Sequence, residues 1–236
     1  MCSLVARCYK VSFPFGEKET IKTMFQFSFA EDELSNLDFP PRSPGQVMYD
    51  MAYDLASERH EGAYRKLSGK EYFTHPRNVA ELLQRCGCSG EVIAAGLLHD
   101  VVEDTETSLD EIHFYFNSRI AELVAGCSEP LLPGGGKVER SWDERKLHTM
   151  EYLKSISDAE VLMIAVADKL DNVLDTEEHG GPDCWDKFNS EPSAFGATSF
   201  EKQAWYYRTL AEIFQAKIPE FDLTSEYVAV VKRIFG

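Results

Sequence analysis

The stretch Gly96-Leu97-Leu98-His99-Asp100-Val101-Val102-Glu103-Asp104-Thr105 constrains this chain more than any other. It follows directly on the apolar residues Val92, Ile93, Ala94, Ala95, Leu97 and Leu98, a run that reads as a mostly buried helix. A histidine and three carboxylates, set within six residues, would then enter the interior on the last turns of that helix. Buried carboxylates destabilise a fold unless a cation or a hydrogen-bond network compensates them. A divalent metal is the first partner such a cluster suggests.

Composition narrows what the cluster can serve. With 236 residues, 44% of them hydrophobic and 12% aromatic, the chain is globular and long enough for one substantial domain or two small ones. A formal charge of -16 argues against a nucleic-acid polymer or an anionic membrane surface as partner. A small anionic substrate would need a local cationic pocket or a metal. Cys2, Cys8, Cys86, Cys88, Cys127 and Cys184 form no Cys-x-x-Cys pair and no framework spacing, so they read as reduced thiols. The pair Cys86 and Cys88 flanks a glycine and marks the end of a helix. The apolar run 161–167 is too short to span a bilayer, and the N-terminus lacks the apolar segment of a signal peptide. The expectation is a cytoplasmic protein with no membrane association; the oligomeric state stays open.

Residues 1–46 differ in character from the rest. Val11, Phe13, Phe15, Ile21, Phe25, Phe27 and Phe29 alternate as in one or two short strands, and Pro40-Pro41-Arg42-Ser43-Pro44-Gly45 reads as a linker. Residues 47–236 form the main domain, with helical periodicity from Gln46 onward. The segment 62–73 is a polar, basic loop. Thr74 offers an N-cap for a helix through His75, Val79, Leu82 and Leu83, closed by Gly87, and Ser89 opens the helix that leads into the charged stretch. Three capping boxes, Ser108 with Glu111, Ser141 with Glu144 and Ser157 with Glu160, mark further helix starts. A loop with three consecutive glycines lies at 134–136. The third box opens a central helix over 161–174, a long loop spans 178–198, and an aromatic helix and a short final one complete an all-α body.

His75, the pair His99-Asp100, and Asp168 lie on three helices that could converge. Two imidazoles and two carboxylates suit a borderline divalent ion such as Mn, Fe, Zn or Co and leave positions for water and substrate. Each has a plainer reading alone: His75 before a proline is a turn residue, and Asp168 the polar end of a buried helix. Together, each after an apolar helical run, they favour a metal. Glu103 and Asp104 fall one turn beyond His99 and Asp100, placed to hold or deprotonate an attacking water. Asn172 is one turn beyond Asp168, and Arg65, Lys66 and Lys169 supply cations that a phosphate would need. Trp205-Tyr206-Tyr207-Arg208 reads as core with one exposed edge.

The pieces Arg65-Lys66-Leu67-Ser68-Gly69, Tyr72-Phe73-Thr74-His75-Pro76, Leu97 to Thr105, and Ala167-Asp168-Lys169-Leu170-Asp171-Asn172 resemble the HD-domain phosphohydrolases. More narrowly they are similar to the hydrolase domain of RelA/SpoT-type enzymes and the small alarmone hydrolases, over about residues 47–215. The resemblance implies an HD-type helical bundle in which His75, His99, Asp100 and Asp168 hold Mn. It implies Glu103 and Asp104 as catalytic carboxylates, and Arg65, Lys66 and Asn172 as nucleotide contacts. The implied reaction removes the 3′-pyrophosphate from guanosine tetra- or pentaphosphate (ppGpp or pppGpp). This chain departs from the family at Asp171, where histidine or tyrosine is frequent, and at Val173-Leu174-Asp175, where long forms carry arginine and threonine. The segment Trp185-Asp186-Lys187-Phe188-Asn189 resembles a bacterial branch of single-domain HD proteins. Hydrolysis of another phosphorylated nucleotide, or a non-catalytic binding module with a structural metal, are the alternatives these departures leave open.

Overall fold

The computed structural model describes residues 43–128, 141–180, 184 and 199–236. The expected strands and the first half of the linker in residues 1–42, the glycine-rich loop at 134–136, and the segment 185–189 lie outside the described residues. Backbone proximity divides the chain into Met1–Pro41 and Arg42–Gly236, and the second unit is the one described below.

The described residues are helical, with one isolated antiparallel bridge, Tyr64 to Glu71. The helices in chain order are α1 (Pro44–Arg59), α2 (Thr74–Arg85), α3 (Gly90–Leu98), α4 (Val101–Asp104), α5 (Leu109–Tyr115), α6 (Ser118–Cys127), α7 (Trp142–Ser155), α8 (Ala159–His179), α9 (Ser199–Lys217) and α10 (Asp222–Phe235). None of them is long and apolar enough to cross a membrane.

Local chemistry explains most of the boundaries. Ser108 and Ser141 each accept a hydrogen bond from the backbone amide of the glutamate three residues on, and that glutamate accepts one from the serine amide, so both boxes form as expected. The third start moves by one residue: Asp158, not Ser157, caps α8 by accepting from the Glu160 amide at 3.0 Å. α2 ends in a Schellman turn. Gly87 takes φ +70°, the Cys88 amide donates to Leu83 O and the Gly87 amide to Gln84 O. At its other end Thr74 turns out not to be the cap, because Phe73 holds that position and the Thr74 hydroxyl donates to Glu71 O. Ser43 and Pro44 also depart from the linker reading. The Ser43 hydroxyl accepts from the Gln46 amide and Pro44 occupies the first helical turn, where its missing N–H leaves no partner unsatisfied.

Two buried helices carry the core. α3 is buried along almost its whole surface by Val92, Ala94, Ala95, Gly96, Leu97 and Leu98, and it packs against α1, α2, α6 and α8. Gly96 permits the approach of α2, since a Cβ there would lie 2.5 Å from Leu83 Cδ1. α8, 21 residues and about 30 Å long, packs against α2, α3, α6, α9 and α10. Its buried face runs through Val161, Ile164, Ala165, Ala167 and Leu170. The expected helix through the charged stretch does not continue unbroken. α3 stops at Leu98, His99 and Asp100 form a turn, and α4 restarts at Val101. That break sets His99 and Asp100 where α3 ends against α8.

Candidate metal centre

Four side chains converge where the first turn of α2, the α3–α4 turn and the middle of α8 meet. His75 Nε2 lies 3.3 Å from Asp168 Oδ1 and 3.5 Å from Asp100 Oδ2. His99 Nε2 lies 3.2 Å from Asp100 Oδ2 and 3.9 Å from Asp168 Oδ1. The two imidazole rings are 5.0 Å apart and nearly perpendicular. Ligand atoms of His75, His99 and Asp168 all fall within 4.8 Å of one another.

The other ring nitrogens fix which atoms face inward. His99 Nδ1 sits 2.8 Å from the Gly96 carbonyl, which can only accept, so Nδ1 carries a proton. His75 Nδ1 donates to Asp171 Oδ2 at 2.7 Å. Both Nε2 atoms therefore turn towards the carboxylates, and the buried Nε2 of His99 has no hydrogen-bond partner. Two lone pairs facing two anionic oxygens at these distances repel unless something positive lies between them. Separations of roughly 3 Å are those between ligand atoms each about 2.1 Å from one ion. The donor set thus fits a divalent metal in both chemistry and spacing.

Electrostatics agree. Burial alone would lower the pKa of His75, but bonds to Asp168 and Asp171 outweigh it and raise the value to about 9. For His99 burial likewise pulls down and the Asp100 charge pulls up harder. Burial opposes the charge of Asp100, yet the neighbouring His99 holds its carboxyl well below the usual range. Asp168 is also held low, against burial, chiefly by Lys169. Without a metal, protons on the imidazoles stand in for the missing positive charge.

The remaining sequence-derived candidates fall into distinct environments. Asn172 Nδ2 donates to Asp168 Oδ1 at 2.6 Å, and Lys169 Nζ donates to Asp168 Oδ2 at 2.6 Å. Lys169 therefore braces a carboxylate instead of standing free for phosphate. Arg65 also differs from expectation. It is only 9% exposed, bonds Asp171, approaches Asn172 Oδ1 at 3.3 Å and pairs with Asp175 at 3.3 Å. Lys66, by contrast, is exposed. On α4, Glu103 is half-buried and Asp104 exposed, with the Asp104 amide donating to Asp100 O at 2.8 Å. The charge of Asp104 is felt at Tyr72 and His60, which puts it on the Tyr72 side of the centre.

Three contributors escape a reading by motif alone. Tyr72 Oη donates to Asp100 Oδ2 at 2.7 Å, and burial together with the Asp100 charge keeps that phenol protonated. Asp171 accepts from His75, Arg65 and Asn78, the last at 2.8 Å. His60 is buried with its ring 4.9 Å from that of Tyr72. The signal for Asp171 was its spacing, three residues after Asp168 and so on the same side of α8. Two cavities flank the centre. One, about 200 Å³, is bordered by Lys66, Tyr72, His75, Asn172, Asp175 and Tyr207. The other, about 400 Å³, is bordered by His99, Cys127, His148, Tyr152, Asp168 and Lys169.

Comparison with known proteins follows the same residues. The HD-domain family model matches residues 52–191. The guanosine-3′,5′-bis(diphosphate) 3′-pyrophosphohydrolase of Aquifex aeolicus is 33% identical over 148 residues, 63% of this chain and 20% of that protein. The bifunctional (p)ppGpp synthase/hydrolase SpoT of Escherichia coli is 31% identical over 157 residues, 66% of this chain and 20% of that one. This chain thus spans about a fifth of the length of these curated relatives. A crystal structure from Listeria monocytogenes matches with a TM-score of 0.53 and 36% identity, covering 72% of this chain and 98% of that one. A metazoan orthologue of SpoT that hydrolyses ppGpp shares the fold, with a TM-score of 0.63 and 20% identity over 83% of this chain and 98% of that one.

Proposed function

Because the chain belongs to the HD-domain family, we propose that it is a metal-dependent phosphohydrolase acting on guanosine 3′,5′-bis(diphosphate) and its pentaphosphate analogue. The products are GDP or GTP and pyrophosphate. The convergence of His75, His99, Asp100 and Asp168 on one point between two cavities carries this reading. The names of the Aquifex and Escherichia relatives supply the substrate.

In this reading His75, His99, Asp100 and Asp168 hold the ion; a mixed imidazole and carboxylate set suits Mn, Fe, Zn or Co, and the family resemblance favours Mn2+ among them. When bound, a divalent ion contributes Lewis acidity at the phosphoryl oxygens and makes a nearby water more acidic. Tyr72 orients Asp100 and Asn172 orients Asp168, so each carboxylate presents a fixed oxygen. Glu103 and Asp104 take the proton of the attacking water. The water oxygen joins the phosphorus attached to the ribose 3′-oxygen, that P–O bond breaks, and the 3′-oxygen is protonated as pyrophosphate leaves. Lys66 faces solvent beside the smaller cavity and neutralises phosphate there; Arg65 and Asn172 border the same cavity, Lys169 borders the larger one, and all three serve the substrate through the α8 carboxylates they hold in place. The reduced thiols of Cys86, Cys88 and Cys127 suit a cytoplasmic setting.

Manganese-loaded protein incubated with guanosine tetraphosphate should release GDP and pyrophosphate in equal amounts, read by ion-exchange chromatography. Turnover of other phosphorylated nucleotides with none of the alarmone would overturn the substrate assignment. One observation favours that second reading. Arg65 is held between Asp171 and Asp175, which leaves the smaller cavity less cationic than a polyphosphate end would demand.

A further inference from the structure

We propose that Asp171 is a positioning residue for the metal centre, fixing the ring of His75, and that Arg65 acts through it. The inference rests on the metal-centre reading above and is independent of which nucleotide is hydrolysed.

The geometry is specific. Asp171 is 5% exposed, so it has no route to a substrate, and it receives donors from two separate segments. Its Oδ2 takes the Nδ1–H of His75 at 2.7 Å together with Arg65 Nη1, and its Oδ1 takes Asn78 Nδ2 at 2.8 Å. The bond from Nδ1 sets the tautomer of His75 and aims Nε2 at Asp100 and Asp168. A carboxylate behind a ligating imidazole also makes the imidazole a stronger donor to a metal. His75 needs that support because it enters the site from the first turn of α2, where no side chain caps the helix.

Arg65 completes the arrangement. Each of its three side-chain nitrogens approaches an oxygen on α8: Nη1 that of Asp171, Nη2 that of Asn172 and Nε that of Asp175. The guanidinium thus fastens the 62–73 loop to α8 and keeps the buried Asp171 ionised and in place. A group tied at every nitrogen and nearly enclosed serves the centre by holding Asp171 still.

Manganese affinity tests the proposal directly, measured on the full chain by competition with a chromogenic chelator. Asp171→Asn should bind manganese about 10–100-fold more weakly, while circular dichroism and saturating manganese show a folded protein that regains turnover. Arg65→Gln should weaken manganese binding in the same direction, and the double variant should be no weaker than Asp171→Asn alone. A merely structural role would lower the melting temperature and leave manganese affinity at the wild-type value, and that result overturns the proposal. Unchanged affinity in Arg65→Gln overturns its second half and returns Arg65 to the substrate. If Asp171→Asn does not fold, Asn78→Ala removes one donor while keeping the buried charge pair. Weaker manganese binding there supports the proposal and wild-type binding overturns it. Failure of the substrate assignment would look different: normal manganese binding by the wild type with no pyrophosphate released.

Discussion

Two charged clusters in this molecule use similar residues to opposite ends. At the start of α8, Arg119 meets Asp158 through Nη1 at 2.7 Å and Nη2 at 3.0 Å, and reaches Glu160 through Nε at 3.1 Å. Donors face acceptors throughout, and the cluster clips α6 to the N-terminus of α8 without needing a further partner. Near the middle of the same helix, the inward Nε2 atoms of neutral His75 and His99 and the facing oxygens of Asp100 and Asp168 are all acceptors, with no donor among the four to share. Geometry as tight as the first cluster, with the signs left unbalanced, marks a place built for a guest. The lesson is to count donors against acceptors, because charge density alone does not separate a clasp from a site.

The largest way to break the contrast is to remove a ligand. His99→Ala or Asp168→Ala should abolish tight manganese binding and reduce turnover by about 10³-fold or more, read by metal analysis and initial rates. Retained binding in either variant would contradict the site. Glu103→Gln should separate holding from acting: metal content equal to wild type, with kcat lower by about 10²–10³-fold. Loss of metal in that variant would move Glu103 into the ligand set.

Stability sharpens the contrast further. Manganese at about 100 times its Kd should stabilise the fold by about 2.7 kcal/mol, which for a domain of this size raises Tm by roughly 5–10 °C. Arg119→Ala should leave both that increment and kcat unchanged. Its own effect is small, under about 1 kcal/mol, because the cluster is partly exposed and screened by solvent. The pH dependence follows from Asp158, whose carboxyl is held below 3.8 chiefly by hydrogen bonds from Arg119. A depressed folded pKa means the contribution is present above about 3.8 and fades as pH falls through the lower folded value. Melting curves across that window should show wild type losing its advantage over Arg119→Ala. An advantage that grew on acidification would reverse the sign and refute the assignment.

Much of the fold was legible because helix signals are local. The Ser108 and Ser141 boxes and the Gly87 stop are decided within four residues, and each formed where the spacing put it. Errors were local too. Asp158 outcompeted Ser157 for the cap, and Pro44 began a helix where a proline-rich run looked like a linker. The break at His99-Asp100 had no local signature, since the apolar run reads straight through into Val101 and Val102. For the site, residue types and helical spacing were enough to single out the residues that converge. Pairing was beyond reach. Arg65 meets Asp171 from 106 positions away, and nothing along the chain announces that a basic loop residue will be enclosed by α8 carboxylates.

The most direct measurement is a manganese titration of metal-stripped protein followed by electron paramagnetic resonance, which reports free Mn2+. One ion should be taken up per chain, with the free signal appearing only beyond that ratio, and no such uptake in Asp168→Ala. A free signal that rises from the first addition, as in buffer alone, would contradict the metal site.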